Sequence, residues 1–202
     1  VALAVPLLWI ALGFFRNKAV DPGFSHWPLL IVAGFAFAGD LAFWHWSIRY
    51  TSVANSTLLA NLASIFVTLG AWLLWKQKPT RMFLAGLAAA LAGVGMLVRT
   101  SLDFSPTGLL GDALGVVTAM FYAWYLLSVK GIRDRGAATL TLMAVTTTIT
   151  TLFLYPVALA SGEALLPETA TGWLKLLGLA WLSHAAGPGR LAFGRGHLPA
   201  AV

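Results

Sequence analysis

The chain has 202 residues, of which 59% are hydrophobic and only 10% charged, against about 25% charged in an ordinary soluble domain. With a mean hydropathy of +0.82, this composition excludes a water-soluble globule, a disordered chain and a coiled coil, and leaves an integral membrane protein of several helices. The net charge of +6 comes from 13 Lys and Arg against 7 Asp and Glu; it predicts cationic loops at one membrane face rather than nucleic-acid binding, and the lack of cysteine excludes disulfides, thiolate metal sites and cysteine nucleophiles.

In chain order, Val1–Phe15 is apolar but short for a span of about 20 residues, and reads as the end of a helix. A polar loop with Arg16, Lys18, Asp21 and His26 leads to a second span over Pro28–Ile48. The short turn Arg49–Ser52 precedes a third span, Val53–Trp75. The basic loop Lys76–Arg81 precedes a fourth, Met82–Val98, rich in Ala and Gly. A loop with Asp103 and Pro106 leads to a fifth span over Gly108–Val129, and the basic loop Lys130–Arg135 to a sixth over Ala138–Ala160. After an acidic loop with Glu163 and Glu168, a seventh segment starts at Trp173 and is interrupted by Gly187-Pro188-Gly189.

Loop cations alternate along this series. Arg16 and Lys18 are followed by Arg49 alone, then Lys76, Lys78 and Arg81, then Arg99 alone, then Lys130, Arg133 and Arg135, then none before Lys175. The alternation follows the positive-inside rule and supports the span count independently of hydropathy. Small residues recur at four-residue spacing in the fourth span, Gly86/Ala90 and Ala89/Gly93, and at Gly111/Gly115 in the fifth. Such faces predict close helix packing in lipid.

Three stretches carry a family resemblance: Arg49 through Thr68, Ala71-Trp-Leu-Leu-Trp-Lys-Gln-Lys-Pro-Thr80, and Gly86 to Val94. They resemble the first half of EamA-type permeases of the drug/metabolite transporter superfamily. Gly111 through Tyr125 to Lys130 resembles the opening helix of that family's second half, and Gly196–Ala201 resembles the turn after its eighth helix. The latter also pairs internally with Arg49–Ala54, as a duplication requires. The resemblance implies ten helices in two inverted five-helix repeats. On that template the chain is an all-α, polytopic helix bundle holding about seven of the ten helices. A first repeat over 1–100 lacks its first helix and part of its second, and a second over 108–202 lacks its last two. The sequence departs from the family at Ser64, where a proline is usual, and at Lys76-Gln77, where Gly-Glu is usual.

Several polar residues fall inside the spans. Asp40 lies near the middle of the second, where a carboxylate is costly and faces a cavity or a partner; Trp44 follows on its face. His45 falls on another face, near the membrane boundary. Thr57, Asn61, Ser64 and Thr68 form a polar stripe on the third span, at offsets that keep one helical face. Gly111, Gly115, Thr118, Tyr122 and Tyr125 share a face of the fifth and predict a groove with an aromatic wall, suited to organic substrates by stacking or cation–π contact. The substrate-cavity candidates are therefore Asp40, Trp44, Thr57, Asn61, Ser64, Thr118, Tyr122 and Tyr125. Asn55 reads as a helix-end residue, and the threonines at 146–148, 150 and 151 as structural. The residues suggest no catalytic, metal or cofactor site: the four histidines are scattered and no phosphate-binding loop precedes a helix. The sequence predicts a multi-pass permease of the cytoplasmic membrane, not an enzyme, exporting a small metabolite or drug-like solute by secondary transport. Its expected partners are the lipid bilayer and an unidentified small molecule, with a homodimer compatible with the family; the alternative is a non-transporting remnant of such a permease.

Overall fold

The computed structural model describes residues 1–15, 26–99, 105–162 and 166–180, which are mostly helical. A 3₁₀ turn, Ala2–Ala4, leads into α1 (Val5–Phe15). It is followed by α2 (Trp27–Tyr50), α3 (Val53–Ala60), α4 (Ala63–Trp75), α5 (Arg81–Arg99), α6 (Pro106–Arg133) and α7 (Thr139–Ala160); residues 170–180 are also helical. Four stretches among the described residues are long and apolar enough to cross a bilayer: Trp27–Tyr50, Val53–Trp75, Pro106–Arg133 and Thr139–Ala160. Ala2–Phe14 and Arg81–Met96 are shorter apolar helices. The charged loop at Arg16–Lys18, the Gly187–Gly189 interruption and the Gly196–Ala201 turn lie outside the described residues.

The third span is not one helix. At Asn61 the hydrogen-bond ladder tightens: the Asn61 amide donates to both Thr57 O and Leu58 O, Leu62 to Leu59 O, Ser64 to Asn61 O and Ile65 to Leu62 O. These three-residue spacings are 3₁₀ geometry. The family's usual proline would fall at Ser64, where the amide already bypasses the carbonyl four residues back, so the break persists without the ring. At the other end of α4, Lys76 adopts the left-handed conformation, φ 57° and ψ 21°, and its amide closes the helix on Ala71 O. Glycine is favoured at such a position, which accounts for the family's usual Gly there.

The described chain groups into two compact units, Val1–Leu30 with Ile132–Val202, and Ile31–Gly131. The grouping is one of packing, whereas the 1–100 and 108–202 repeats expected from sequence are units of duplication. In the first unit α1 lies against α7. Ala4, Leu8 and Leu12 pack on Ala144, with Leu140 and Met143 beside them, and Trp9 Nε1 donates to Thr148 Oγ1 at 2.9 Å. The α7 threonines are structural as expected: Thr146, Thr148 and Thr151 each donate to the carbonyl four residues back, at 2.7–2.8 Å.

In the second unit α6 is the spine. Ala119 and Ala123 are buried on Ala63 of α4, with Leu62, Phe66 and Val67 around them. The same seam continues at both ends: Leu59 lies within 3.2 Å of where a Cβ on Gly115 would sit, and Leu127 occupies the space a Cβ on Gly70 would take. On its other side α6 meets α2. The Phe121 ring fills the space over Gly39, and it stacks on Phe43 with ring centroids 5.3 Å apart. Phe35 meets both Phe121 and Trp124 edge-on. Two bonds fix the ends of the spine. Ser47 Oγ donates to Gly111 O at 2.7 Å, and Lys130 Nζ lies 5.0 Å from the centre of the Trp75 ring.

The two small-residue motifs have different fates. Gly111 and Gly115 pack as expected: a Cβ on Gly111 would come within 2.7 Å of Thr51 N and 2.8 Å of the Tyr50 carbonyl carbon. Among the described residues, Gly86, Gly93 and Gly95 of α5 face nothing within 4 Å. The close packing predicted for that stripe is therefore not made by the described chain, because α5 lies at its edge with most side chains exposed.

Candidate functional site

The α2–α6 seam brings together three of the sequence candidates, Asp40, Tyr122 and Tyr125, with one residue that sequence reasoning missed, Phe37. Asp40 sits near the middle of α2, roughly 15 Å along the axis from its C-terminal end, and is 9% exposed. It lies within electrostatic range of Tyr125 on α6. Tyr125 stacks on Phe37, ring centroids 4.7 Å apart with planes 25° from parallel. Tyr122, one turn earlier on α6, lies 6.3 Å from Tyr125 with planes 21° from parallel. Tyr122 is exposed and Tyr125 half-buried, so the bank of rings runs from the seam outward. Trp44 is half-buried one turn after Asp40. Phe37 was legible in principle, since it stands three residues before Asp40 and so on the same helical face.

Thr118 is buried one turn before Tyr122, but its hydroxyl donates to Leu114 O at 3.0 Å. The groove expected at the small-residue end of that face is filled: Thr51, Leu59 and Ser47 occupy the space over Gly111 and Gly115. At the aromatic end Tyr122 is exposed.

The α3–α4 stripe lies elsewhere. Buried Ala63 and the Leu59 contact turn one side of this span onto α6, which leaves Thr57, Asn61 and Ser64 exposed and Thr68 half-buried. Thr57 donates to Val53 O at 2.7 Å, Asn61 Nδ2 to Thr57 O at 3.1 Å, and Thr68 to Ser64 O at 2.7 Å. The stripe serves its own backbone in this structure, and Asn61 also marks the break. His45 is exposed, on a different face from Asp40.

A second polar cluster, only partly foreseen, lies where the α2–α3 turn meets the start of α6. Ser47, Asn55 and Ser56 are all 0% exposed. Ser52 caps α3 by accepting from the Asn55 amide at 3.0 Å, and Asn55 Nδ2 reaches Thr51 Oγ1 at 3.4 Å. The helix-end reading of Asn55 holds, with complete burial added. Ser56 Oγ and Asp112 Oδ1 are buried with no hydrogen-bond partner among the described residues. Asn55 and Ser56 gave no strong signal in sequence, because one-turn polar clusters near a loop look like ordinary helix ends.

No group of three or more His, Cys, Asp or Glu that could hold a metal occurs among the described residues. The α2–α6 seam carries one carboxylate at mid-span and a bank of aromatic rings.

Residues 1–99 match the EamA-like transporter family. This part of the chain, a little under half of it, is similar to that family. Over 184 residues the chain is also 34% identical to an uncharacterized transporter of Archaeoglobus fulgidus. The matched region is 86% of this chain and 61% of that relative, so the chain spans a little under two thirds of the relative's length. No solved structure matches. The family match and the apolar helices together make this a multi-pass, all-α membrane protein similar to EamA-like transporters.

Proposed function

We propose that the protein works as a secondary transporter that exports a small organic metabolite or drug-like solute across the cytoplasmic membrane. The observation that carries this reading is the buried mid-span Asp40 carboxylate within electrostatic range of Tyr125, whose ring stacks with that of exposed Tyr122. An ionisable residue at that depth is expensive in a purely structural helix and marks a solute or ion path. The α2–α6 seam also pairs the two expected inverted repeats, 1–100 and 108–202, near mid-membrane, where transporters of that design bind their cargo before rocking open to the other side. Asp40, Trp44, Tyr122 and Tyr125 form the proposed cavity wall on this seam. Thr57, Asn61 and Ser64 are a second wall, on a face left open in the described chain, and Thr118 braces α6 between them.

The test is solute counterflow in proteoliposomes with a panel of labelled metabolites and drug-like compounds. Flux above that of empty liposomes for at least one solute, abolished by Asp40→Asn with insertion unchanged, is the expected result. Flux equal to that of empty liposomes across the panel would favour the non-transporting alternative. Flux that Asp40→Asn leaves intact would remove the proposed role of the carboxylate.

A further inference from the structure

We infer that the N-terminal ends of α3 and α6 hold a sodium ion, bound between Ser56 Oγ and Asp112 Oδ1 with Ser47 Oγ beside them. The site is separate from the Asp40 region: Tyr125, the residue within range of Asp40, stands 13 residues beyond Asp112, roughly 20 Å along α6.

Three observations within the unit Ile31–Gly131 meet at this point. The first is a pair of orphaned oxygens. Ser56 is 0% exposed and Asp112 half-buried, and Ser56 Oγ and Asp112 Oδ1 are both buried with no hydrogen-bond partner among the described residues. Asp112 has no ion pair there either. The second is the register of the seam, which sets the two residues at one level. Leu59 lies against Gly115 and Leu127 against Gly70, offsets of 56 and 57 residues, so the third span and α6 run parallel. Ser56 stands three residues before Leu59 and Asp112 three before Gly115, each on the same helical face as its neighbour in that contact. The third is a further oxygen on the same stretch of α6. Ser47 Oγ donates to Gly111 O at 2.7 Å and lies 3.3 Å from where a Cβ on Gly115 would sit. Its one hydrogen is engaged in that bond, which leaves its lone pairs to face a ligand.

These features select a small hard cation. A serine hydroxyl and a carboxylate are natural partners, donor to acceptor, yet these two do not bond each other. A group that joins them must satisfy two oxygens at once and offset a negative charge held away from water. Water supplies hydrogen bonds and no charge, whereas a cation supplies both terms. Oxygen ligands with a single carboxylate suit a monovalent ion. They are too few in charge for calcium or magnesium and lack the nitrogen or sulfur that transition metals prefer. Close packing favours sodium over the larger potassium: a Cβ on Gly111 would come within 2.7 Å of Thr51 N, and one on Gly115 within 3.1 Å of Leu59.

The experiment uses the full chain purified in detergent and washed free of sodium in choline chloride. Scintillation proximity with radioactive sodium should show saturable binding, displaced by unlabelled sodium and not by equal potassium. At constant ionic strength, sodium at about ten times its dissociation constant should raise the unfolding temperature by about 3–6 °C. Asp112→Asn should weaken sodium binding about tenfold or more, and Ser56→Ala about two- to tenfold. In choline, Ser56→Ala should unfold at or above the parent's temperature, so that only the rise on adding sodium is diminished. Circular dichroism on each variant separates loss of binding from loss of fold, and Ser56→Ala keeps the test decisive should Asp112→Asn fail to fold. A lack of saturable sodium binding would overturn the inference and leave the two oxygens to water. An equal response to sodium and potassium, or sodium binding indifferent to both Asp112→Asn and Ser56→Ala, would overturn it as well. So would binding that is lost in Asp40→Asn and kept in Asp112→Asn. Solute flux plays no part in these readings, so the inference and the transport reading stand or fall separately.

Discussion

Two serines at identical burial separate what a hydroxyl contributes in this fold. Ser47 and Ser56 are each 0% exposed. Ser47 donates to Gly111 O at 2.7 Å and ties α2 to α6, whereas Ser56 Oγ has no partner among the described residues. Interhelical bonds in membranes are worth about 0.6 kcal/mol on average and up to ~1.7. Ser47→Ala should therefore lower thermal stability by an amount in that range. Ser56→Ala should be neutral or stabilising, because it removes an unsatisfied buried oxygen. Thermal unfolding of the two variants in one detergent checks the pair, and a larger loss for Ser56→Ala would reverse the assignment. Sequence could not rank these serines: both are small polar residues close to the same turn, and only the approach of Gly111 distinguishes them. Asp40 was legible for the opposite reason, since a carboxylate amid an apolar run stands out whatever surrounds it.

At the level of the helix, the boundaries of the long spans follow from where the apolar runs stop. The apolar run predicts the second span over Pro28–Ile48, and the helix is Trp27–Tyr50; it predicts the sixth over Ala138–Ala160, and the helix is Thr139–Ala160. The interruption of the third span was not legible, because the apolar run continues through it and the change lies in which carbonyl each amide chooses. The end of α4 makes a quantitative prediction. Lys76 holds a left-handed conformation, which costs a side-chain-bearing residue roughly 1 kcal/mol and glycine very little. Lys76→Gly should therefore raise stability by about 1 kcal/mol, read as a higher unfolding temperature. A lower unfolding temperature would mean that the lysine side chain contributes more there than its backbone conformation costs.

For the molecule as a whole, the charge alternation of the loops and the contacts of the second unit agree on polarity. Within Ile31–Gly131, Trp75 and Lys130 meet at one end of the α6 spine, and Thr51 and Gly111 at the other. The basic turn after α4 thus shares an end with Lys130, away from the turn that carries Arg49 alone. The positive-inside rule makes the richer end cytoplasmic. Because the chain has no cysteine, single cysteines at Tyr50, Gln77, Asp134 and Glu168 can be labelled with an impermeant thiol reagent in intact cells without native background. Labelling is expected at Tyr50 and Glu168, and at Gln77 and Asp134 only after the cells are opened. Labelling of Gln77 from outside would invert the proposed orientation. Composition alone was enough for the class of fold, because so few charges leave no soluble alternative. The identity of the α6 partners was not legible, since a stripe such as Gly115, Ala119 and Ala123 specifies closeness without naming which helix arrives.

The tightened turns at Asn61–Ile65 have a geometric consequence for the whole third span. A 3₁₀ step turns the chain by about 120° where an α step turns it by about 100°. Three or four such steps therefore shift the angular phase of α4 by roughly 60–80° from where an unbroken helix would carry it. Positions 57 and 68, aligned on a single helical wheel, belong to two wheels offset by that angle. The segment behaves as two short rods, each with its own bearing, and a stripe drawn through all four polar residues bends at the joint.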